Sequence, residues 1–495
     1  MSPRPILLGA AILLMAFASA QSRHYRTGPP GAWVKEQPLG TAVTDTACLQ
    51  GGDEILLLDR QYDLAGQQVY WRRADRLISA EGVQNGSRVE IGFDPTFQEL
   101  IIHHLRIVRG GTIMDKLDPG QLRVLHREED MNSYLYDGTI TVVADLQDVR
   151  VGDVVDYAVS IKGWNPAEKG RFHRYLAMGF DSPVARMFTR VVAPPGRSPM
   201  IQQHLFDPQP EVRKTALGTE TSWTQEAIPC MQVDERMPGL YDPYPSIELS
   251  EFGSVEDLRR WALDQYAVDR RISGALAAHV KGIERLPDVM QRIDSAIDLV
   301  QRDVRYLGLE DGISAYRPHE PVKVYDQRFG DCKDKSLLLV AVLEAMGVKA
   351  YPALVNTSNG RSLDEHLPRP GLFDHCITMV PHAGDTLWVD ATAAHNQGRG
   401  TQRYTPNYGK ALVVGAGFKD YTTMHVSDTG VVDVIERIRL DTLGGGADIV
   451  IETRCHGRRA DGIRSEFSSQ SFTDIARSYT DFYAGIYGVC TPVEP

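Results

Sequence analysis

The sequence predicts an α+β protein in which a buried helix packs against an antiparallel sheet, with β-sandwich-like domains on either side. Three observations carry this expectation. From about Tyr62 to Trp223 the chain runs in short alternating segments separated by turn residues. From Ser254 to Val304 apolar residues recur at helical spacings. The third is an almost continuous apolar run, Leu337 to Met346, followed by short strand-like segments.

The β region is marked by hairpin chemistry. Leu100-Ile101-Ile102 and Leu105 to Val108 lead through Arg109-Gly110-Gly111 into Thr112-Ile113-Met114, two β-rich runs around a glycine pair. Thr139–Ala144 and Val149–Ile161, with Gly152-Asp153 inside, read the same way. His103, His104 and His173 lack metal-ligand spacing and are expected as surface or packed residues. A Pro-rich stretch, Met237 to Pro245, marks a boundary. Ser254-Val255-Glu256-Asp257 then has the form of a helix start, and Val289, Ile293, Ala296, Ile297, Val300 and Val304 stripe a second helix from Asp288. Beyond Gly417 the chain is expected to turn β-rich again, over Val431–Leu440 and Ala447–Thr453, with one helical segment near Phe472–Tyr483.

Length agrees with this division, since 495 residues suggest about three domains. With 42% apolar and 24% charged residues the chain can bury a real core, and disorder, collagen-like and disulfide-dense classes are excluded. A net charge of −12 leaves no global basic footprint, so nucleic acid is not an expected partner. Arg4, the apolar run Ile6–Phe17 and Ala18-Ser19-Ala20 have the layout of an export signal cleaved before Gln21. The run is short of the ~20 apolar residues that span a bilayer, so no membrane span is expected and the mature chain is read as secreted, periplasmic or extracellular. The expected divisions are a signal peptide over 1–20, an extension over 21–61, an antiparallel β domain over 62–240, a core domain over 250–415 and a smaller β-rich domain over 417–495.

The chemistry concentrates at Arg328-Phe329-Gly330-Asp331-Cys332-Lys333-Asp334-Lys335-Ser336. Asp331 is a helix N-cap with Asp334 three residues on, which puts Cys332 in the first turn of a buried helix ending at Gly347. A helix N-terminus favours a thiolate, and its free backbone N–H groups can bind an oxyanion. A thiolate needs a base. Leu372–Val380 and Asp385–Asp390 read as two strands joined by Pro381-His382-Ala383-Gly384, a register that sets His375 opposite Asp390. The carboxylate would then orient the imidazole. His319, His366, His382 and His395 are competing histidines in loops or turns. A zinc reading from Cys332, His375 and Cys376 fails on spacing, and Cys376 is expected on the opposite face of its strand from His375, in the core. Of six cysteines (Cys48, Cys230, Cys332, Cys376, Cys455 and Cys490), Cys455 and Cys490 are the first pair expected to bridge.

Gly330-Asp331-Cys332 heading a buried helix, His375 on one strand and Trp388-Val389-Asp390 on the next together resemble the transglutaminase-like superfamily of papain-type thiol enzymes. The likeness covers about Asp288 to Thr392. Asp331-Cys332-Lys333-Asp334-Lys335, with its Leu-rich helix and Gly347, is similar to that superfamily's bacterial secreted branch, where a β domain precedes the core and another follows. The resemblance implies a papain/transglutaminase-like core with Cys332 as nucleophile, His375 as general base and acid, Asp390 as orienting carboxylate, and no metal or organic cofactor. One departure is Cys376-Ile377 directly after the histidine, where relatives usually carry tryptophan. Gln327 and Tyr306 are candidates for a second oxyanion donor. The implied activity is acyl transfer on peptide or protein amides through a thioester, with hydrolysis ahead of transglutamination. A peptidoglycan-type amidase would share this chemistry, and a non-catalytic envelope- or protein-binding scaffold is the rival from another class.

Overall fold

The computed structural model describes residues 25–41, 52–126, 135–136, 138–234, 236–237, 241–426 and 430–493. The expected export segment, Cys48 and Pro238 lie outside the described residues.

The amino-terminal strands in chain order are β1 (Tyr25–Thr27), β2 (Asp53–Asp63), β3 (Gln68–Leu77), β4 (Arg88–Phe93), β5 (Glu99–Arg109), β6 (Thr112–Asp115), β7 (Arg123–His126) and β8 (Leu135–Tyr136). They continue as β9 (Ile140–Asp145), β10 (Val154–Lys162), β11 (His173–Ala177), β12 (Val184–Ala193), β13 (Met200–His204), β14 (Glu211–Thr215), β15 (Gly218–Ile228) and β16 (Ser246–Ser250). A short helix, α1 (Ala80–Gly86), links β3 to β4. One large sheet runs β1-β5-β10-β3-β2-β12-β15-β14, with β6 on β5 across the Gly110-Gly111 turn. A smaller sheet, β4-β9-β7, packs on it, Val89, Ile91, Ile140 and Val142 sharing a core with Leu100, Ile102, Leu105, Val155 and Val159. Apolar side chains from two stacked sheets give the layers of a sandwich.

Two expectations are corrected here. The large sheet is mixed rather than antiparallel, because β1 pairs β5 and β12 pairs β2 in parallel. Alternation reports which side chains are buried and carries no information on strand direction. The sheet also begins earlier than Tyr62. Strand β2 crosses the expected boundary and β1 joins the same sheet, so the extension over 21–61 contributes two strands.

The next unit begins with helices α2 (Val255–Gln265), α3 (Gly274–Glu284) and α4 (Val289–Asp303). The expected starts are present, with the Ser254 hydroxyl accepting from Asp257 N and the Asp288 carboxylate from Gln291 N. Then come β17 (Arg305–Tyr306), β18 (Gly308–Leu309), α5 (Pro321–Gln327), β19 (Phe329–Gly330), α6 (Cys332–Ala345) and β20 (Tyr351–Val355). Strands β21 (His375–His382), β22 (Asp385–Val389), β23 (Lys410–Val413) and β24 (Thr422–Thr423) complete a five-stranded antiparallel sheet, β22-β21-β20-β23-β24. Helix α6 lies between this sheet and α4: Leu338, Leu339, Val342 and Leu343 pack with Ile293, Ile297, Val300, Val380 and Val389. Ile377, Met379 and Trp388 pack into the layer opposite, with Met424 and Val426. The core therefore runs past the expected end at 415.

Beyond it, β25 (Val431–Leu440) and β26 (Ala447–His456) form a hairpin, followed by α7 (Arg458–Ser469) and α8 (Phe472–Tyr487). This region is a hairpin with two helices rather than β-rich. Helix α7 buries none of its residues and so carries no apolar stripe for a periodicity reading to find. The expected Cys455–Cys490 bridge is absent. Cys455 sits in β26 opposite Val432, Cys490 follows α8, and both are free, as are Cys332 and Cys376. Cys230 is disulfide-bonded.

The β21–β22 turn has two residues rather than four. His382 pairs Asp385, and Ala383 and Gly384 both take positive φ, 52° and 82°, as a type I′ hairpin turn requires. Alanine is strained there, so Ala383→Asn should raise stability by roughly 0.5–1 kcal/mol. A higher urea midpoint at unchanged slope is the expected result, and a lower midpoint would contradict the turn assignment.

Candidate functional site

Cys332 owes its position to the way a buried helix begins. An α-helix leaves its first N–H groups without intrahelical acceptors, and at a buried terminus they need other partners. Asp331 accepts from Asp334 N at 2.9 Å, while the Asp334 carboxylate receives the Asp331 N–H and, at 2.7 Å, the His319 N–H. This reciprocal box fixes the first turn. Gly330 is required beside it, since an added Cβ would lie 2.7 Å from Cβ of Asp334. Cys332, the first helical residue, is partly exposed, whereas the next eleven residues of α6 are buried.

The base arrives from the sheet. His375 opens β21, and its imidazole acts on the Cys332 thiol in the direction of the thiolate. Its Nε2 meets Asp390 Oδ2 at 2.9 Å, which leaves Nδ1 as the nitrogen for the sulfur. With the two-residue turn, Asp390 is a diagonal rather than a directly opposed neighbour of His375. The register differs from the four-residue expectation by two positions, and an even shift keeps both side chains on one face. Asp390 is held by more than the imidazole. Its Oδ1 accepts from Thr392 N at 2.8 Å and Thr392 Oγ1 at 2.6 Å, and Oδ2 also accepts from Tyr408 OH at 3.2 Å. The Asp390 carbonyl accepts from the buried Gln301 amide at 2.7 Å.

These contacts set the protonation states. Burial alone would raise the Asp390 carboxyl, but hydrogen bonds from His375 and Thr392 hold it below the usual range. Burial likewise works against a charged imidazole, yet the Asp390 and Cys332 contacts override it and push His375 up to about 11. For Cys332, burial and the Asp331 charge outweigh the opposing pull of His375 and Lys333, so the thiol lies above its ordinary range. The helix N-terminus adds a further pull toward the thiolate.

The other sequence candidates separate clearly. Strand β17 pairs β19 with Tyr306 opposite Gly330, so Tyr306 stands beside the nucleophile turn, and its phenol is raised by burial and by the Cys332 and Asp331 charges. Gln327 donates to Phe329 O at 2.9 Å, a local bond at the end of α5. His319 is tied to Asp334, His366 to Glu248 at 2.7 Å and His395 to Ser468 at 3.0 Å, while His382 lies in the β21–β22 ladder beside the turn. Cys376 is buried on the helix-facing side and accepts from Tyr266 OH at 3.2 Å. No cluster with metal-ligand geometry occurs among the described residues.

Tyr408, Thr392, Gln301 and the burial of Lys333 and Lys335 escaped the sequence reading. Asp390-Ala391-Thr392 carries an Asx-turn signature that points to Thr392. Tyr408, whose ring meets His375 edge-on at 5.8 Å, sits in a loop with no periodic signal.

The raised His375 imidazole links folding stability to pH. An ordinary histidine titrates near 6.5, so the stability from a folded-state value of about 11 is full below pH 6.5 and lost as the pH climbs through 11. Urea unfolding should therefore show wild-type stability falling between pH 7 and 10 more steeply than that of His375→Gln. Parallel pH dependences in the two proteins would refute the paired imidazolium.

Comparisons place part of this architecture among known proteins. Residues 65–231 match the family model described as "Domain of Unknown Function with solved-structure structure (DUF3857)". No curated protein matches the chain. Among solved structures, one described as a "putative protease" from Parabacteroides distasonis superposes with a TM-score of 0.61 at 14% identity, covering 77% of this chain and 72% of its own. That likeness is one of fold. A "putative cysteine protease" from Cytophaga hutchinsonii covers 79% of this chain and 89% of its own at 10% identity, with a TM-score of 0.17 that supports no shared arrangement. The amino-terminal β region thus matches a family model, and the chain shares the overall fold of the Parabacteroides protein.

Proposed function

We propose that the chain is a thiol-dependent acyl-transfer enzyme acting on peptide or protein amides, with water as the principal acceptor, in a transglutaminase-like core. The observation that carries the reading is the alignment of Cys332, at a capped helix N-terminus, with His375 and a fully engaged Asp390. This supplies nucleophile, acid–base and orienting group at one site.

In this reading the Cys332 thiolate attacks the amide carbonyl carbon and forms the C–S bond while the carbonyl electrons move to oxygen. Cys332 N–H and Lys333 N–H, at helix positions without intrahelical acceptors, are placed to receive that oxyanion. Imidazolium His375 then gives its Nδ1 proton to the leaving nitrogen, the C–N bond breaks, and a thioester remains. Neutral His375 next takes a proton from water as it attacks the thioester, the C–S bond breaks, and acid and thiolate are restored. A primary amine in place of water would give transglutamination by the same steps. Asp390 keeps Nε2 engaged, so Nδ1 stays directed at the sulfur throughout. The Parabacteroides neighbour's description as a protease agrees with a peptide substrate. Action outside the cytoplasm, after cleavage near Ala20, belongs to the same proposal.

The test is a panel of peptides, D,L-peptides and unfolded proteins, scored for released amine, with intact-mass detection of an acyl adduct on Cys332. Wild type should turn over at least one class, and Cys332→Ala should lose at least about 10³-fold in rate. If no adduct forms and Cys332 resists iodoacetamide from pH 5 to 9, the binding-scaffold alternative takes its place.

A further inference from the structure

Lys333 follows the nucleophile and is 5% exposed. A buried ammonium needs paired partners, and Lys333 has two: Asp331, the cap of its own helix, and Glu310 Oε1 at 2.9 Å. Glu310 is itself placed by the amino-terminal β domain. Strand β8 pairs β18, and Glu310 N donates to Tyr136 O at 2.7 Å. A continuous polar chain therefore runs from the β domain through Glu310 and Lys333 to the Asp331 cap beside Cys332.

The charges make this arrangement chemically specific. Asp331 is needed as a cap; burial pushes its carboxyl up to about 7 against the pull of Lys333, and once ionised it opposes a second negative charge on the neighbouring Cys332. Lys333 opposes that effect from the adjoining position. Burial works against its ammonium, but Asp331 and Glu310 hold it protonated above the ordinary lysine range. The other groups facing the sulfur are His375, which favours the thiolate, and Tyr306 and the Tyr266–Cys376 pair, which are raised by burial and stay neutral. Asp334 is occupied by His319. Lys333 is thus the cation that balances the cap.

We propose that Lys333 is a positioning residue for the thiol, its buried ammonium neutralising Asp331 at the Cys332 turn so that one helix start serves both as anionic cap and as thiolate site. The proposal rests on the reading of Cys332 as a nucleophile and deepens it.

The test is the pH profile of iodoacetamide labelling of Cys332, resolved by mass spectrometry in the full chain, with folding of each variant checked by urea unfolding. Lys333→Met should move the midpoint up by about one pH unit and slow labelling at pH 6 about tenfold. Lys333→Arg should restore both. Asp331→Asn, which keeps the capping oxygen, should move the midpoint down. Opposite directions are the signature, since loosening of the turn would shift both variants alike. Midpoints that move together, or that stay at the wild-type value, would overturn the proposal. If Lys333→Met does not fold, the downward shift in Asp331→Asn and the Lys333→Arg profile still decide it. Because labelling reads the sulfur itself, an inactive amide panel would defeat the proposed function and leave this result standing.

Discussion

The structure depends on one constraint, that a helix almost wholly buried must begin inside the protein. Helix α6 is apolar enough to be enclosed by α4, α5 and the five-stranded sheet, so its amino terminus cannot rely on water for its unpaired N–H groups. The Asp331–Asp334 box meets that need for the Asp334 N–H, and the position of Cys332 follows from its geometry. The box requires Gly330 and brings anionic charge to the first helical position, the partly exposed start of an otherwise buried stretch. A cysteine placed there gains helix N–H groups and inherits a neighbour of the wrong sign. His375 and Lys333 are the two cations that answer it.

The second half of the site is built at the sheet's end rather than in its middle. His375 is the first residue of β21, paired there with Val355, and Asp390 follows the last residue of β22, so both stand at the end of the ladder. Asp390 then gathers donors from three separate places: its own turn through Thr392, the 400s loop through Tyr408, and His375. A carboxylate with its lone pairs committed in this way has little freedom to rotate, which keeps the imidazole in one orientation. The amino-terminal domain is part of the same construction. Besides the Glu310 link, Gly312 is held from both sides, its N–H by Asp94 at 3.0 Å and its carbonyl by Asn165 at 2.7 Å. The Trp261 indole donates to Ala167 O at 2.7 Å.

Much of this was legible in the sequence because it is local. The Asp331 cap, the Gly347 stop, the stripe of α4 and the Ser254 start are written within a few residues, and each is present in the structure. What was not legible depends on partners far away in the chain. The parallel β2–β12 pairing leaves no local mark, and neither does the approach of Tyr408 to Asp390. The burial of Lys333 and Lys335 reads against composition, because lysine is ordinarily a surface residue. It becomes intelligible only once Glu310 and the carbonyl of Val304 are seen beside them. The turn length is hidden as well, because Pro381 has the chemistry of a loop residue, whereas β21 continues through it to His382 beside the edge strand β22.

That turn bears on how such a chain can vary over evolutionary time. His375 and Asp390 lie on the same side of the sheet because the number of residues between them is consistent with the pleat, whose repeat is two. A hairpin that gained or lost a pair of residues would move Asp390 along the strand and leave it on that side. A gain or loss of one, where the strand register rather than the loop took it up, would send it through the sheet to the opposite layer, away from the imidazole. Changes at this tip that are absorbed as a longer loop leave the pair intact, and those that shift the strands are sorted by parity.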